Sequence, residues 1–280
     1  MKLQFTKMHG CGNDFVVIDA MDELASWTPS SEQAAFLLDR HFGIGGDQLL
    51  ILYPSEIADA KMAIFNNDGS EVEMCGNGIR CCALYLVVHR LTSKTELEIE
   101  TLAGIIKPVI DGKFVKVDMG KPILEAENIP VNGFSGQVIE IDPPETGNGY
   151  SLPKMSCVSM GNPHAIFFVD DINSVPVEKI GPKVEKNVKI FPALTNVEFA
   201  QVISRSEARM RVWERGSGVT LACGTGACGT VVAGILSGKL DDTATVTLDG
   251  GELTISWPDK NGSVFMTGPA EEVFNGSIEI

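Results

Sequence analysis

The strongest constraint on this chain is an internal repeat. The segment MCGNGIRCCALYL at 74–86 lies alongside ACGTGACGTVVAG at 222–234, so Cys75 and Cys223 stand 148 residues apart. Phe65-Asn66 and Trp213-Glu214 recur at the same offset, as do Gln48 and Asn196, while Gly12-Asn13 and Gly161-Asn162 recur at 149. Chance likeness between two buried helices could yield a pair of Cys-Gly-x-Gly segments. It does not readily yield matching amide positions in the same order. The chain therefore reads as a duplication, and two copies are too few for a solenoid. The expected class is α/β (α+β): two pseudo-symmetric domains, each a mostly antiparallel sheet wrapped around one central buried helix. A ligand site is then expected in the cleft between them. The expected halves are 1–118, completed by a C-terminal strand at 266–280, and 119–265.

Local patterns fill in this frame. SSEQAAFLLDRH at 30–41 reads as a helix, with Ser30 and Gln33 at capping-box spacing. QLLILY and KMAIFN read as strands, the second running into a turn at Asp68-Gly69. Ile79–His89 and Ala227–Ser237 carry no breaker and are apolar on nearly every face, which predicts two fully buried helices, the second stopped by Gly238. ELEIETLAG, IIKPVI and KFVKVDMG read as strands, with DGK as a hairpin turn. Residues 120–150 read as the crossover between halves, with a short strand at QVIEID. Beyond it, CVSM, AIFFVD and NVEFAQVI read as strands, with a polar stretch between the second and third, and RMRVWERGSG follows. TATVTLD, ELTISW and SVFMTG follow as strands.

Composition excludes several function classes. With 44% hydrophobic and 21% charged residues in 280, the chain suits a soluble globular protein. A formal net charge of −15 repels nucleic acid and anionic membranes, so neither is an expected partner. MKLQFTKMHG lacks the apolar core of a signal peptide, and a cytoplasmic location is expected. The seven cysteines include no CxxC pair, and the four histidines (9, 41, 89, 164) form no zinc-like pairing, so neither a disulfide framework nor a metal is expected. Cys81, Cys82, Cys157 and Cys228 read as small buried hydrophobes. GIGGDQ leads into a strand and is no dinucleotide fingerprint, there is no phosphate-binding GxxxxGK motif, and no lysine is marked as a Schiff-base site. No cofactor is expected.

Cys75 and Cys223 each sit at a turn entering a helix. A helix N-terminus offers unpaired N–H groups and a positive dipole end. Two expectations follow. The thiol pKa should fall below its free value of ~8.5, and the same N–H groups can hold a carboxylate. Two such helices aimed at one anion fit a two-base inversion at an amino-acid Cα. One thiolate removes the proton from one face, and the other thiol returns one to the opposite face. Hydrogen bonds to the carboxylate then stabilise the charge developing at Cα. From the residues alone, a thiol racemase for another amino acid and a thiol-switch or ligand-binding protein without turnover stay open.

The motifs HGCGNDF, GGDQLL, FNNDGSEVEMCGNGIRC, GNPHAIF, NVEF, WERGSGVTLACGTGACG and MTGPAEEVFNG, in this order over essentially the whole chain, closely resemble the diaminopimelate epimerase family. The resemblance implies a pyridoxal-independent homodimeric enzyme that interconverts LL- and meso-diaminopimelate in lysine and peptidoglycan-precursor biosynthesis. It implies that Cys75 and Cys223 are proton donor and acceptor. It assigns Gly76, Asn77, Gly224 and Thr225 to the reacting carboxylate. Asn13, Gln48, Asn66, Asn162, Asn196, Glu214 and Arg215 complete the implied substrate site, and the planar Arg215 guanidinium suits a second carboxylate. His164 and Glu214 match positions that tune the thiol pKa values. Phe274 matches an aromatic position of the dimer contact, often tyrosine. Cys11 departs from the pattern, where an apolar residue is more usual.

Overall fold

The structure is a computed structural model that describes residues 1–73, 75–143 and 151–280. In chain order its elements are β1 (Lys2–Gly10), β2 (Asn13–Asp19), α1 (Ser31–Leu38), β3 (Gln48–Tyr53), β4 (Ala60–Asn66), β5 (Glu71–Val72), α2 (Gly76–Val88), β6 (Ile99–Thr101), β7 (Gly104–Ile106), β8 (Val109–Asp111) and β9 (Phe114–Asp118). There follow β10 (Met155–Ser159), β11 (Pro163–Phe168), α3 (Val177–Glu185), β12 (Asn196–Ser204), β13 (Glu207–Glu214), β14 (Gly218–Thr220), α4 (Gly224–Leu236), β15 (Thr243–Leu248), β16 (Gly251–Ser256), β17 (Phe265–Pro269) and β18 (Glu271–Glu279). The chain divides into two compact units, Met1–Asp118 with Thr267–Ile280, and Met119–Met266.

In the first unit the sheet order is β18-β1-β2-β3-β4-β6-β7, with β5 added to β4. Only β2/β3 and β4/β6 run parallel; the other pairs are antiparallel. The second unit repeats the pattern as β10-β11-β12-β13-β15-β16, with β14 on β13 and parallel pairs β11/β12 and β13/β15. Even the register repeats. Phe15 lies opposite Gln48, and His164 lies opposite Asn196. The duplication inferred from the side chains is thus a duplication of strand order.

Burial on both sheet faces explains the unbroken apolar runs. Leu49 and Ile51 share a core with Ala34, Leu37 and Leu38 of α1. Leu50, pointing the opposite way, lies against Gly78 at the start of α2. In the second unit Val197 and Phe199 pack with Val177, Ile180 and Val184 of α3, while Glu198 faces Gly226 of α4. Every residue of α2 from Gly76 to Leu86 is buried, including Arg80, whose Nε donates to Pro269 O at 3.2 Å and whose Nη1 donates to Gly76 O at 3.3 Å. The expected capping box of α1 is present: Gln33 N donates to Ser30 Oγ at 3.2 Å, and Ser30 N donates to Gln33 Oε1 at 3.0 Å.

Three expectations are corrected. The polar stretch before NVEF contains helix α3, within about two residues of the repeat offset of α1. Gly181 and Pro182 hid it, because both argue against a helix interior. QVIEID forms no strand. It makes only isolated bridges, Glu125 with Gln137 and Ile141 with Met155. Between them Glu140 has φ +54°, which breaks the extended backbone. Residues 144–150 of the expected crossover lie outside the described residues. Finally, α2 and α4 begin three residues before Ile79 and Ala227, so that each key cysteine is itself the N-cap.

Gly181 is where α3 meets β13: a Cβ there would lie 2.4 Å from Trp213 Cγ and 2.5 Å from its Cβ. Those atoms are close to the backbone and have little room to move. Gly181→Ala should lower the unfolding free energy by about 1–3 kcal/mol, measured by urea denaturation.

Candidate active site

In the first unit, Cys75 caps α2. Gly78 N donates to its Sγ at 3.4 Å, and the first intrahelical bond runs from Ile79 N to Cys75 O at 2.9 Å. The N–H groups of Gly76 and Asn77 precede that bond, where a helix presents its open donors. Asn13 stands beside the cap. Its Oδ1 accepts from Asn77 Nδ2 at 3.0 Å and lies 4.0 Å from the Cys75 sulfur. Its Nδ2 donates to Asp47 Oδ2 at 2.8 Å. Asn77 Oδ1 is buried without a hydrogen-bond partner among the described residues. Gln48 and Asn66 face each other in register across β3 and β4, and Gln48 Nε2 donates to Asn66 Oδ1 at 2.9 Å.

The second unit carries the same arrangement with different side chains. Cys223 caps α4, and Ala227 N donates to Cys223 O at 3.0 Å. The Thr225 hydroxyl lies 3.5 Å from Sγ. Asn196 Nδ2 donates to Pro163 O at 2.9 Å, and its Oδ1 accepts from Arg215 N at 2.9 Å. The Arg215 guanidinium donates to Ala193 O at 3.0 Å. Glu214 accepts from the Thr220 hydroxyl. His164 sits between Asn162 Oδ1, at 3.1 Å from Nε2, and Glu198 Oε1, at 2.7 Å from Nδ1.

The electrostatics of Cys223 reverse the expected direction. Burial pushes its thiol pKa well above the usual range, and the negative charges of Glu214 and Glu198 push it further. The Thr225 hydroxyl and the Gly226 N–H act the other way and are outweighed. The helix end does favour thiolate, but loss of water and two neighbouring carboxylates oppose it more strongly. Burial also raises the Glu214 carboxyl, against the opposing pull of hydrogen bonds from Thr220 and Cys223.

The family model described as diaminopimelate epimerase matches residues 5–125 and 156–273. The chain belongs to the diaminopimelate epimerase family. It is 50% identical over 287 residues to the diaminopimelate epimerase of Acetivibrio thermocellus, covering 99% of each chain. To that of Halothermothrix orenii it is 51% identical over 288 residues, covering 100% of this chain and 99% of the relative. Among solved structures, a Bacillus anthracis phenazine biosynthesis protein of the PhzF family aligns over 100% of both chains with a TM-score of 0.73 at 18% identity. A probable proline racemase from Agrobacterium radiobacter K84 aligns over 99% of this chain and 93% of its own, with a TM-score of 0.69 at 15% identity. At these identities the structural likeness speaks for the fold. The two-unit mixed α/β architecture is that of these neighbours.

In the first unit Asn13 and Asn77 cluster with Cys75 at the start of α2, and Gln48 pairs with Asn66; in the second, Glu214 and Thr225 cluster with Cys223, while Asn162 meets His164 and Asn196 accepts from Arg215 N. Phe274 does not belong to either cluster. It lies half-exposed on β18, the edge strand, with its ring edge-on to Phe5 at 6.0 Å between centroids. Among the described residues, no group of three or more His, Cys, Asp or Glu is placed to hold a metal, and no helix is long and apolar enough to cross a membrane. Two features escaped sequence reasoning. One is Glu198, whose signal was a lone charge in the apolar run VEFA. The other is the charge network behind Asn13, whose Asp14 and Asp47 stand inside the motifs HGCGNDF and GGDQLL.

In that network Asp14 binds Lys7 Nζ at 2.6 Å and Arg40 at 2.6 and 3.0 Å, and Arg40 also reaches Asp47 at 2.9 Å. Burial raises the Asp14 pKa, but the hydrogen bonds from Arg40 and Lys7 win and bring it to about 2. A carboxyl depressed on folding stabilises the protein above its ordinary value of 3.8, and that contribution is lost as pH falls toward about 2. Arg40→Ala should therefore move the acid-unfolding midpoint to higher pH, followed by circular dichroism between roughly pH 2 and pH 5.

Proposed function

We propose that this chain interconverts LL- and meso-diaminopimelate by two-base proton transfer at Cα, with Cys75 and Cys223 as the acid–base pair and no bound cofactor. The observation that carries the reading is the twofold occurrence of one device. In each unit a thiol caps a largely buried helix, directly beside N–H groups that precede the first intrahelical bond. The scheme requires both thiols to reach one Cα from opposite faces. Family membership supports the substrate and the reaction class.

In the proposed step a thiolate takes the Cα proton, forming an S–H bond as the C–H bond breaks. The C–H electron pair moves toward the carboxylate, which the N–H groups of Gly76, Asn77, Gly224 and Thr225 hold. The opposite S–H bond then breaks and its proton is delivered to the other face. The sulfurs exchange roles for the reverse reaction. Asn13, Gln48, Asn66, Asn162, Asn196, Glu214 and Arg215 are assigned to the rest of the substrate, with Arg215 on the distal carboxylate. The buried acceptor Asn77 Oδ1 suits an ammonium N–H. His164 and Glu214 are assigned to control of the thiol protons. Phe274 is assigned to a subunit contact in a homodimer, and the location to the cytoplasm.

Cys75→Ala and Cys223→Ala should each cut LL-to-meso conversion by roughly 10²–10⁴-fold. The wild-type protein should turn over without added pyridoxal phosphate and exchange the substrate Cα–H in deuterated water. Full activity in either variant would rule out the two-base scheme.

A further inference from the structure

The Cys223 half-site contains a carboxylate for which the two-thiol scheme has no role. Glu198 is wholly buried on β12. One oxygen meets His164 Nδ1 at 2.7 Å, and the other is buried with no hydrogen-bond partner among the described residues. A Cβ on Gly226 would lie 2.7 Å from Glu198 Oε1 and 3.3 Å from Cys223 Sγ. Glycine at that position is thus what lets the carboxylate approach the cap of α4 beside the sulfur. The other unit shows the contrast. At the repeat positions of His164 and Glu198 stand Phe15 and Leu50, and a Cβ on Gly78 would meet Leu50 at 3.2 Å. At matching strand positions, then, one unit carries an apolar pair and the other an imidazole and a carboxylate.

We propose that Glu198 is a positioning residue of the Cys223 half-site: it clamps His164 against Asn162 and, with Glu214, sets negative charge beside the sulfur, so that the resting half-site stores its proton on Cys223. The proposal rests on Cys223 being an acid–base group. The groups around the sulfur are Glu198 from β12, Glu214 from β13, and the Thr225 hydroxyl and Gly226 N–H from α4. Behind Glu198 lie His164 on β11 and Cys157 on β10. The carboxylates oppose the thiolate, and the two hydrogen-bond donors favour it. A sulfur held as thiol is a poor nucleophile and resists stray alkylation or oxidation.

The test follows iodoacetamide alkylation of Cys223 against pH by peptide mass spectrometry, in a Cys75→Ala background. The half-point in that background should lie above ~8.5, the free-cysteine value. Adding Glu198→Gln, which keeps the shape and removes the charge, should lower the half-point by about one pH unit. Glu198→Leu, which copies Leu50, should lower it as well. A half-point below the free-cysteine value, needing no Glu198 variant, would overturn the proposal. So would an unchanged profile in a Glu198→Gln protein with native circular dichroism. Failure of the two-base scheme would instead appear as retained epimerisation in Cys75→Ala, a separate readout.

Discussion

Helices α2 and α4 have almost no polar face to turn toward water, and the rest of the structure answers to that constraint. A helix buried from Gly76 to Leu86 is stable only if a sheet encloses it. The strands that face it, β3 and β12, also carry α1 and α3 on their other side, so they must be apolar on both faces. Inside such an enclosure the backbone hydrogen bonds are internal except at the helix ends. The N-terminus is therefore where a polar ligand can find donors. Cys75 and Cys223 stand at those ends, and Gly78 and Gly226 leave room for the strand residue opposite.

The duplication preserved backbone pairing more strictly than chemistry. β2/β3 and β11/β12 keep the same parallel register. Yet the residues at matching strand positions differ: Phe15 and Leu50 in one unit, His164 and Glu198 in the other. Around Cys75, Asn13 is held by Asp47 and Asn77, with the ion pairs of Asp14 behind it. Around Cys223, burial raises the thiol pKa and the Glu214 and Glu198 carboxylates raise it further. Two cysteines from one repeated motif thus have different polar neighbours.

How much was legible depended on range. Ser30 and Gln33 declared the start of α1 because a capping box is a contact within one turn. The helix α3 was legible in principle, since it falls close to the repeat offset of α1, but Gly181 and Pro182 masked its local signal. They are tolerated because Val177, Ile180 and Val184 pack onto β12 and Gly181 packs against Trp213, and tertiary burial overrides propensity. The break at Glu140 left no trace in QVIEID, since nothing in that alternation reports a positive φ.

By itself the sequence determined the duplication, the two buried helices, the cysteines at their entries and the polar residues that recur with them. Each of these is a pattern of residue type and spacing, which folding carries forward unchanged. The tertiary structure decided the direction in which the Cys223 pKa moves. A helix end favours thiolate through local dipoles, and that much can be read from Cys-Gly-x-Gly. Desolvation and the approach of Glu198 and Glu214 are properties of residues distant in the chain. Only the pairing of β12 with β13, and of both with α4, sets those charges beside the sulfur.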